Sequence, residues 1–374
     1  MNTISTPAAV VDVAKMRANI QRMVTRMNSL GVSFRPHVKT AKSLPVTNAM
    51  IHAGAKGITV STLKEAEQFF AAGIKDILYA VGMVGAKLPQ AAQLLRRGCD
   101  LKIITDNVDS AQAITAYGAA NNITFNVLVE IDTDGHRSGL LPESDELLAV
   151  AQELKNPGAN LLGVMTHAGG SYAFDTPQAL EAIAEQERAR SVRAAERLRA
   201  AGNPCPVVSV GSTPTALSAK DLTGVTEVRA GVFVFFDLVM HNIGVCSMEE
   251  IAMSVLATVI GHQKEKGWAI VDAGWMAMSR DRGTAGYKKD FGYGQVCDSK
   301  GTPIPGYTMS GANQEHGIIN AVSGVDANIA ELFPVGMQVR ILPNHACATS
   351  AQFPAMTALM PDGTCEEWSR FYGW

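Results

Sequence analysis

The segment Arg35-Pro36-His37-Val38-Lys39-Thr40 places a guanidinium, an imidazole and a primary amine at alternate positions. On an extended strand, alternate side chains share one face, so the three are expected to point the same way. Burial favours the uncharged form of a lysine, and the neutral amine is the form that attacks a carbonyl carbon. Lys39 is therefore the candidate Schiff-base nucleophile. The competing reading is a lysine solvated on a loop.

Other segments carry complementary chemistry. In Thr166-His167-Ala168-Gly169-Gly170-Ser171-Tyr172, the His167 ring could stack on a flat cofactor or simply line a rim. Gly211-Ser212-Thr213-Pro214-Thr215 is a turn of small residues whose N–H groups and hydroxyls suit a phosphate, although a plain helix cap at Thr213 uses the same residues. Arg229 interrupts an apolar run and needs an acceptor. Glu227 is read as facing elsewhere, so a ligand atom is the expected partner. Glu130-Ile131-Asp132-Thr133-Asp134-Gly135-His136-Arg137 gathers polar groups after a buried strand, or forms an ordinary turn. His345-Ala346-Cys347 would set an imidazole and a thiol on one side of an extended segment, a donor pair suited to Zn²⁺. Water or substrate would complete that shell, with Glu315 or His316 as supporting groups.

These segments need a frame. Short β-rich runs at 34–40, 57–62, 76–81, 101–106, 125–132, 162–168, 206–212 and 226–237 alternate with helical periodicity at 10–30, 63–72, 86–97, 108–119, 142–154 and 177–201. Several strands are apolar throughout, as expected for a parallel sheet covered on both sides. Gly31, Gly54, Gly73, Gly98, Gly118 and Gly202 stand where helix ends call for positive φ. Eight β-then-α units predict a (β/α)₈ barrel over residues 9–245, with chemistry at the C-terminal ends of its strands. An open doubly wound sheet would carry Gly-x-Gly-x-x-Gly after its first strand, and none is present. From residue 246 to 374 the texture is all-β, and residues 1–8 are expected to join it as an extra strand.

Composition excludes several classes. Apolar residues are 47% and charged residues 18%, too apolar for a disordered chain. With 32 basic and 35 acidic residues the net charge is −3, so no basic footprint for nucleic acid is present. No apolar run reaches the roughly 18 residues of a membrane helix, and the first residues lack the basic and apolar regions of a secretory signal. The six scattered cysteines read as reduced thiols in a cytoplasmic protein.

Taken together, these motifs resemble the fold-type III pyridoxal-phosphate enzymes, and within them the family holding D-serine dehydratase and D-threonine aldolase. The resemblance spans nearly the whole chain. It implies pyridoxal 5'-phosphate joined to Lys39 as a Schiff base, near His37. It implies His167 and Tyr172 at the ring, and Arg137 or Arg229 facing the ring nitrogen or phenolic oxygen. The phosphate would rest on Gly211, Ser212, Thr213 and the backbone of Gly231 and Val232. His345 and Cys347 would hold a divalent metal, zinc or else manganese, cobalt or magnesium. One departure is Phe233, where relatives can carry tyrosine, so a hydroxyl contact is lost.

The implied reaction is dehydration of a small-molecule D-3-hydroxyamino acid, foremost D-threo-3-hydroxyaspartate, to a 2-oxo acid (oxaloacetate) and ammonia. D-Serine dehydration, or aldol cleavage of D-threonine or 3-hydroxyaspartate, stands as the alternative. Aldolases of the family resemble His-x-Asp at the metal pair, so His-x-Cys leans towards elimination. Racemisation would need a second base such as Tyr287 or Tyr293. The resemblance also implies a homodimer, with no nucleic-acid or membrane partner.

Overall fold

In the computed structural model, which describes residues 4–374, the first element is a strand, β1 (Ala8–Asp12), and only then a helix, α1 (Val13–Ser29). Periodicity alone ran the helix from residue 10. Val10 and Val11 are fully buried and pair with a strand on each side. Two ladders of backbone hydrogen bonds outweigh the helical spacing. Residues 1–3 of the expected extra strand lie outside the described residues.

The expected barrel forms. Its strands are β2 (Ser33–Pro36), β3 (Ile58–Val60), β4 (Asp76–Gly82), β5 (Asp100–Thr105), β6 (Phe125–Glu130), β7 (Ala159–Met165), β8 (Val207–Val210) and β9 (Glu227–Ala230). All pair in parallel, in the order β2-β9-β8-β7-β6-β5-β4-β3. A single parallel bridge, His37 to Thr59, nearly closes the circle. Helices α2 (Leu44–His52), α3 (Leu63–Ala71), α4 (Leu88–Arg96), α5 (Val108–Asn121), α6 (Asp145–Glu153), α7 (Pro177–Ala200) and α8 (Thr213–Ser218) follow β2 to β8 in turn. Leu78, Ile104, Leu128 and Met165, one from each of four neighbouring strands, pack as one buried cluster.

Two details differ from the sequence reading. The first barrel strand stops at Pro36, because the chain then folds into a turn in which Lys42 N–H donates to Val38 O at 2.8 Å. The alternation that put Lys39 on one face with Arg35 and His37 therefore does not reach Lys39. Gly118 is not a helix cap either. The helix runs on to Asn121, and Asn122 takes the left-handed turn with φ 52°. Gly118 is required instead by packing, since a Cβ there would stand 2.3 Å from the Gly158 carbonyl oxygen.

The remaining strands are β10 (Met253–Gln263), β11 (Trp268–Val271), β12 (Gly294–Cys297), β13 (Pro303–Ala312), β14 (Gly317–Ala321), β15 (Gln338–Pro343), β16 (Ala355–Leu359) and β17 (Cys365–Ser369). With β1 they form one sheet in the order β11-β14-β13-β12-β15-β10-β1-β16-β17, and β10 also pairs with β11. Pairing is antiparallel except between β1 and β16. Strands β13, β14, β16 and β17 are not anticipated from sequence. β17, for example, buries only Trp368, so its apolar signal is thin. By internal contacts the chain groups into two compact units: Met1–Ile20 with Val232–Arg370, and Gln21–Gly231 with Phe371–Trp374.

Candidate active site

The barrel interior is charged where an apolar filling is usual. Arg35 Nε donates to Glu227 Oε2 at 2.7 Å, and its Nη1 and Nη2 reach Asp76 at 2.7 and 3.1 Å. Lys102 Nζ joins Asp76 Oδ1 at 2.6 Å. On the other side, Ser209 Oγ donates to Glu227 Oε1 at 2.7 Å and accepts Arg229 Nη1 at 2.8 Å. Arg229 also donates through Nη2 to the Thr166 carbonyl. Glu227 thus shares the inward face with Arg229, as residues two apart on a strand must. The expectation that Glu227 faces elsewhere is corrected, and Arg229 has protein acceptors in Ser209 and Thr166. Burial alone would lower the Arg35 guanidinium, but Glu227 and Asp76 outweigh it and hold the residue firmly charged.

The turn after β2 presents two lysines. Lys42 has φ 46° and its Nζ lies 2.9 Å from Oε1 of Glu65, whose side chain is wholly buried. Lys39 is exposed, not buried as expected, and its amine makes no hydrogen bond or ion pair among the described residues. Its backbone N–H donates to His37 Nδ1 at 3.4 Å.

Two neutral imidazoles lie in reach of these cations. Burial pushes His37 well below its ordinary range, and Lys39, Arg229, His167 and Lys42 add to the shift. Burial likewise pushes His167 down to about 3, helped by Lys39, Arg137 and Arg229 and opposed by its bond to Gly211. His167 Nδ1 donates to the Gly211 carbonyl at 3.0 Å. Tyr172 stands with its ring 6.4 Å from that of His167.

After β8, Gly211 has φ 133°, and a Cβ there would meet the Arg229 carbonyl oxygen at 2.1 Å. Ser212 caps α8: its Oγ accepts Thr215 N–H at 3.2 Å, while its own N–H donates to Thr215 Oγ1 at 3.0 Å. Thr213 is buried at the first position of the helix. Gly231 follows β9, and a Cβ there would stand 3.2 Å from the His37 carbonyl oxygen and 3.4 Å from Thr40 Oγ1, tight against both. Val232 is buried in a short 3₁₀ turn, Val232–Val234, and groups with the β unit. Arg137 lies on an exposed loop, 58% of its side chain accessible, with Glu130 Oε1 at 3.6 Å.

In the β unit, His345 Nδ1 lies 2.6 Å from Asp281 Oδ2. Burial opposes a charge on His345, but its bonds to Asp281 and Cys347 outweigh that and push it up to about 11. The segment is not extended as expected. His345 is the N-cap of a short helix, Ala346–Ser350, which carries Cys347. Buried Asp237 holds that start in place by accepting Ala346 N–H at 3.0 Å. Glu315 and His316 are exposed, and the group that orients His345 is Asp281. Among the described residues, no cluster of three or more His, Cys, Asp or Glu is placed to hold a metal ion.

Residues 11–239 match the alanine racemase N-terminal domain, and residues 252–359 match the serine dehydratase domain. D-Threo-3-hydroxyaspartate dehydratase of Delftia sp. is 65% identical over 374 residues, covering 100% of this chain and 98% of the relative. The chain belongs to the D-threo-3-hydroxyaspartate dehydratase family. Solved structures of D-threo-3-hydroxyaspartate dehydratase, one from Delftia sp. HT23 and one of a cysteine-to-alanine mutant in the metal-free form, each match with TM-score 0.99 at 64% identity, covering 100% of this chain and 99% of theirs. D-Serine dehydratase of Dictyostelium discoideum is 30% identical, covering 94% of this chain and 93% of the relative.

In this dehydratase-family chain, sequence reasoning gave no role to Glu65, Asp281 or Glu187, although Asp281 ends a segment, 272–281, that is conspicuously polar for the β region. Glu187 had a legible signal. It falls on the buried stripe of α7 with Leu180, Ile183, Ala184, Ser191 and Ala194, where a carboxylate is out of place.

Proposed function

We propose that the protein converts a D-3-hydroxyamino acid, foremost D-threo-3-hydroxyaspartate, to the 2-oxo acid and ammonia, using pyridoxal 5'-phosphate and a divalent cation. The observation that carries this reading is the 65% identity to D-threo-3-hydroxyaspartate dehydratase across the entire chain.

The barrel mouth fits a phosphate-bearing aldehyde. It offers an amine without a protein partner among the described residues and two uncharged imidazoles, with the cations Lys42, Arg137 and Arg229 close to those imidazoles. The Thr59 hydroxyl, on the strand bridged to His37, is buried with no partner among the described residues, a kind of atom that normally finds one. On this reading Lys39 holds the cofactor, with His37, His167 and Tyr172 beside the ring. Gly211, Ser212, Thr213, Gly231 and Val232 take the phosphate. Arg137 or Arg229 faces the ring, the first from an exposed loop beside Glu130 and the second while also bonded to Ser209 and Thr166.

The β unit offers an imidazole and a thiol in contact, a donor set suited to zinc and less so to manganese, cobalt or magnesium. Asp281 at Nδ1 would leave Nε2 of His345 to the metal, as an acidic partner commonly does. The metal-free cysteine mutant of the relative supports placing the cation on Cys347.

When bound, pyridoxal phosphate supplies a sink for the electrons of the Cα–H bond, and the cation supplies Lewis acidity to the β-hydroxyl. Lys39 would supply the amine that accepts the α-proton. His37 and His167 stay neutral, so they shape the mouth without adding charge. Loss of the α-proton and β-hydroxide, followed by hydrolysis, yields the 2-oxo acid and ammonia in equal amounts.

The resemblance supports a homodimer, and the two family matches support the division into a cofactor-bearing domain at 9–245 and a β domain at 246–374 with 1–8. None of the six cysteines is joined in a disulfide among the described residues, which supports a cytoplasmic setting. No described helix is long and apolar enough to cross a membrane.

The deciding assay incubates protein, pyridoxal phosphate and zinc with D-threo-3-hydroxyaspartate, D-serine or D-threonine. Equal yields of 2-oxo acid and ammonia are expected, highest with hydroxyaspartate. Glycine and an aldehyde as the products would refute dehydration in favour of aldol cleavage.

A further inference from the structure

We infer that Glu187 is a positioning residue of the cofactor cradle: its carboxylate ties the turn after β7 to the turn after β8, and so sets where His167 and Ser212 stand. The inference rests on the reading of the barrel mouth as a pyridoxal-phosphate site.

Glu187 is 2% exposed. A single oxygen, Oε1, accepts Ala168 N–H at 3.0 Å and Gly211 N–H at 3.0 Å. Ala168 directly follows His167, and Gly211 directly precedes Ser212. The Thr215 side chain bonds the same carboxylate. From Thr215 the contacts continue to Ser212 Oγ at 3.1 Å and from there to Ser171 Oγ at 2.8 Å. Ser171 Oγ donates to Ala168 O at 2.7 Å, which closes the circuit.

Every atom in this ring is polar and buried, and burial is tolerated only where such groups are bonded. Two backbone N–H groups from different turns answer to one atom on one helix. Neither turn can move without breaking a bond to Glu187, so their relative position is set by α7. His167 donating to the Gly211 carbonyl is a second tie between the same turns. Sites that act on a ligand need this kind of support from behind.

The test compares wild-type protein with Glu187→Ala, Glu187→Asp and Glu187→Gln. Each apoprotein is titrated with pyridoxal phosphate, followed by absorbance and by the circular dichroism induced in the cofactor. Thermal midpoints are measured alongside. The Ala and Asp variants are expected to bind roughly ten- to a hundred-fold more weakly, the scale at which supporting bonds tune a ligand site, and to alter the induced band. Glutamine retains an oxygen for both N–H groups and is expected to restore affinity and band. A lower thermal midpoint with unchanged affinity and band would reduce Glu187 to a structural role and overturn the inference. Should the Ala variant not fold, the Asp variant is read by the same criteria.

Deuterium exchange in the apoproteins reads the tie without cofactor. Segments 166–171 and 209–213 are expected to exchange faster together in Glu187→Asp but not in Glu187→Gln. Unchanged exchange in both overturns the inference. Wild-type protein that binds no pyridoxal phosphate defeats the functional reading instead, and the exchange result then stands on its own.

Discussion

Lys42 Nζ stands 2.9 Å from the carboxylate of Glu65, and this pairing separates the roles of two lysines three residues apart. One is spent on holding the turn, and the other is left as its amine. The separation predicts opposite phenotypes. Lys39→Ala should abolish borohydride trapping of pyridoxal phosphate and lower turnover by roughly 10²–10⁴-fold, the range for a lost proton-transfer group. Lys42→Met should leave the adduct on Lys39 but cost roughly 3 kcal/mol, since it strands a buried carboxylate. Peptide mapping and urea unfolding read the two effects. An adduct mapped to residue 42 would reverse the assignment.

Asp281 supports His345 at 2.6 Å. On the proposed function, Asp281→Asn should weaken metal binding roughly 10–100-fold, as loss of a partner behind a histidine ligand does. His345→Ala and Cys347→Ala should lower bound metal to near zero in elemental analysis. Removing metal with a chelator should stop dehydration while the cofactor absorbance stays. Undiminished turnover in chelator would remove the cation from the reaction.

His167 predicts an acid sensitivity of the apoprotein. Burial holds its folded pKa at about 3, against 6.5 for the free side chain. Between those values the unfolded chain takes up a proton that the folded chain refuses. Stability is therefore full above about pH 6.5 and declines as the pH falls towards 3. Urea midpoints measured from pH 7.5 to 5 should fall more steeply for wild type than for His167→Gln. Parallel profiles would contradict the buried neutral state.

Gly118→Ala sets two effects against each other. Alanine gains about 1 kcal/mol of helix propensity inside α5. Its Cβ would stand 2.3 Å from the Gly158 carbonyl oxygen, and overpacking of that kind costs roughly 1–3 kcal/mol. Net destabilisation is expected in chemical denaturation. A more stable variant would mean that the loop at Gly158 yields freely.

The residue order alone determined the barrel and its all-β companion. Period-two and period-3.6 apolar patterns are local properties that survive without knowing what packs against what. It also marked the turns after the strands and the amine, the imidazoles and the thiol that they carry, because such residue types are conspicuous in apolar surroundings. Only the tertiary structure decided which charges meet. Glu227 and Arg229 are two residues apart and both face inward, yet their bonds run to Arg35 and Ser209 on other strands and to Thr166 just past the end of β7. Glu65 beside Lys42, Asp281 beside His345 and Glu187 behind two turns are likewise pairings across long stretches of chain. Electrostatic and hydrogen-bond energies depend on distance in space, and a linear order of residues carries that distance only after the strands have been paired.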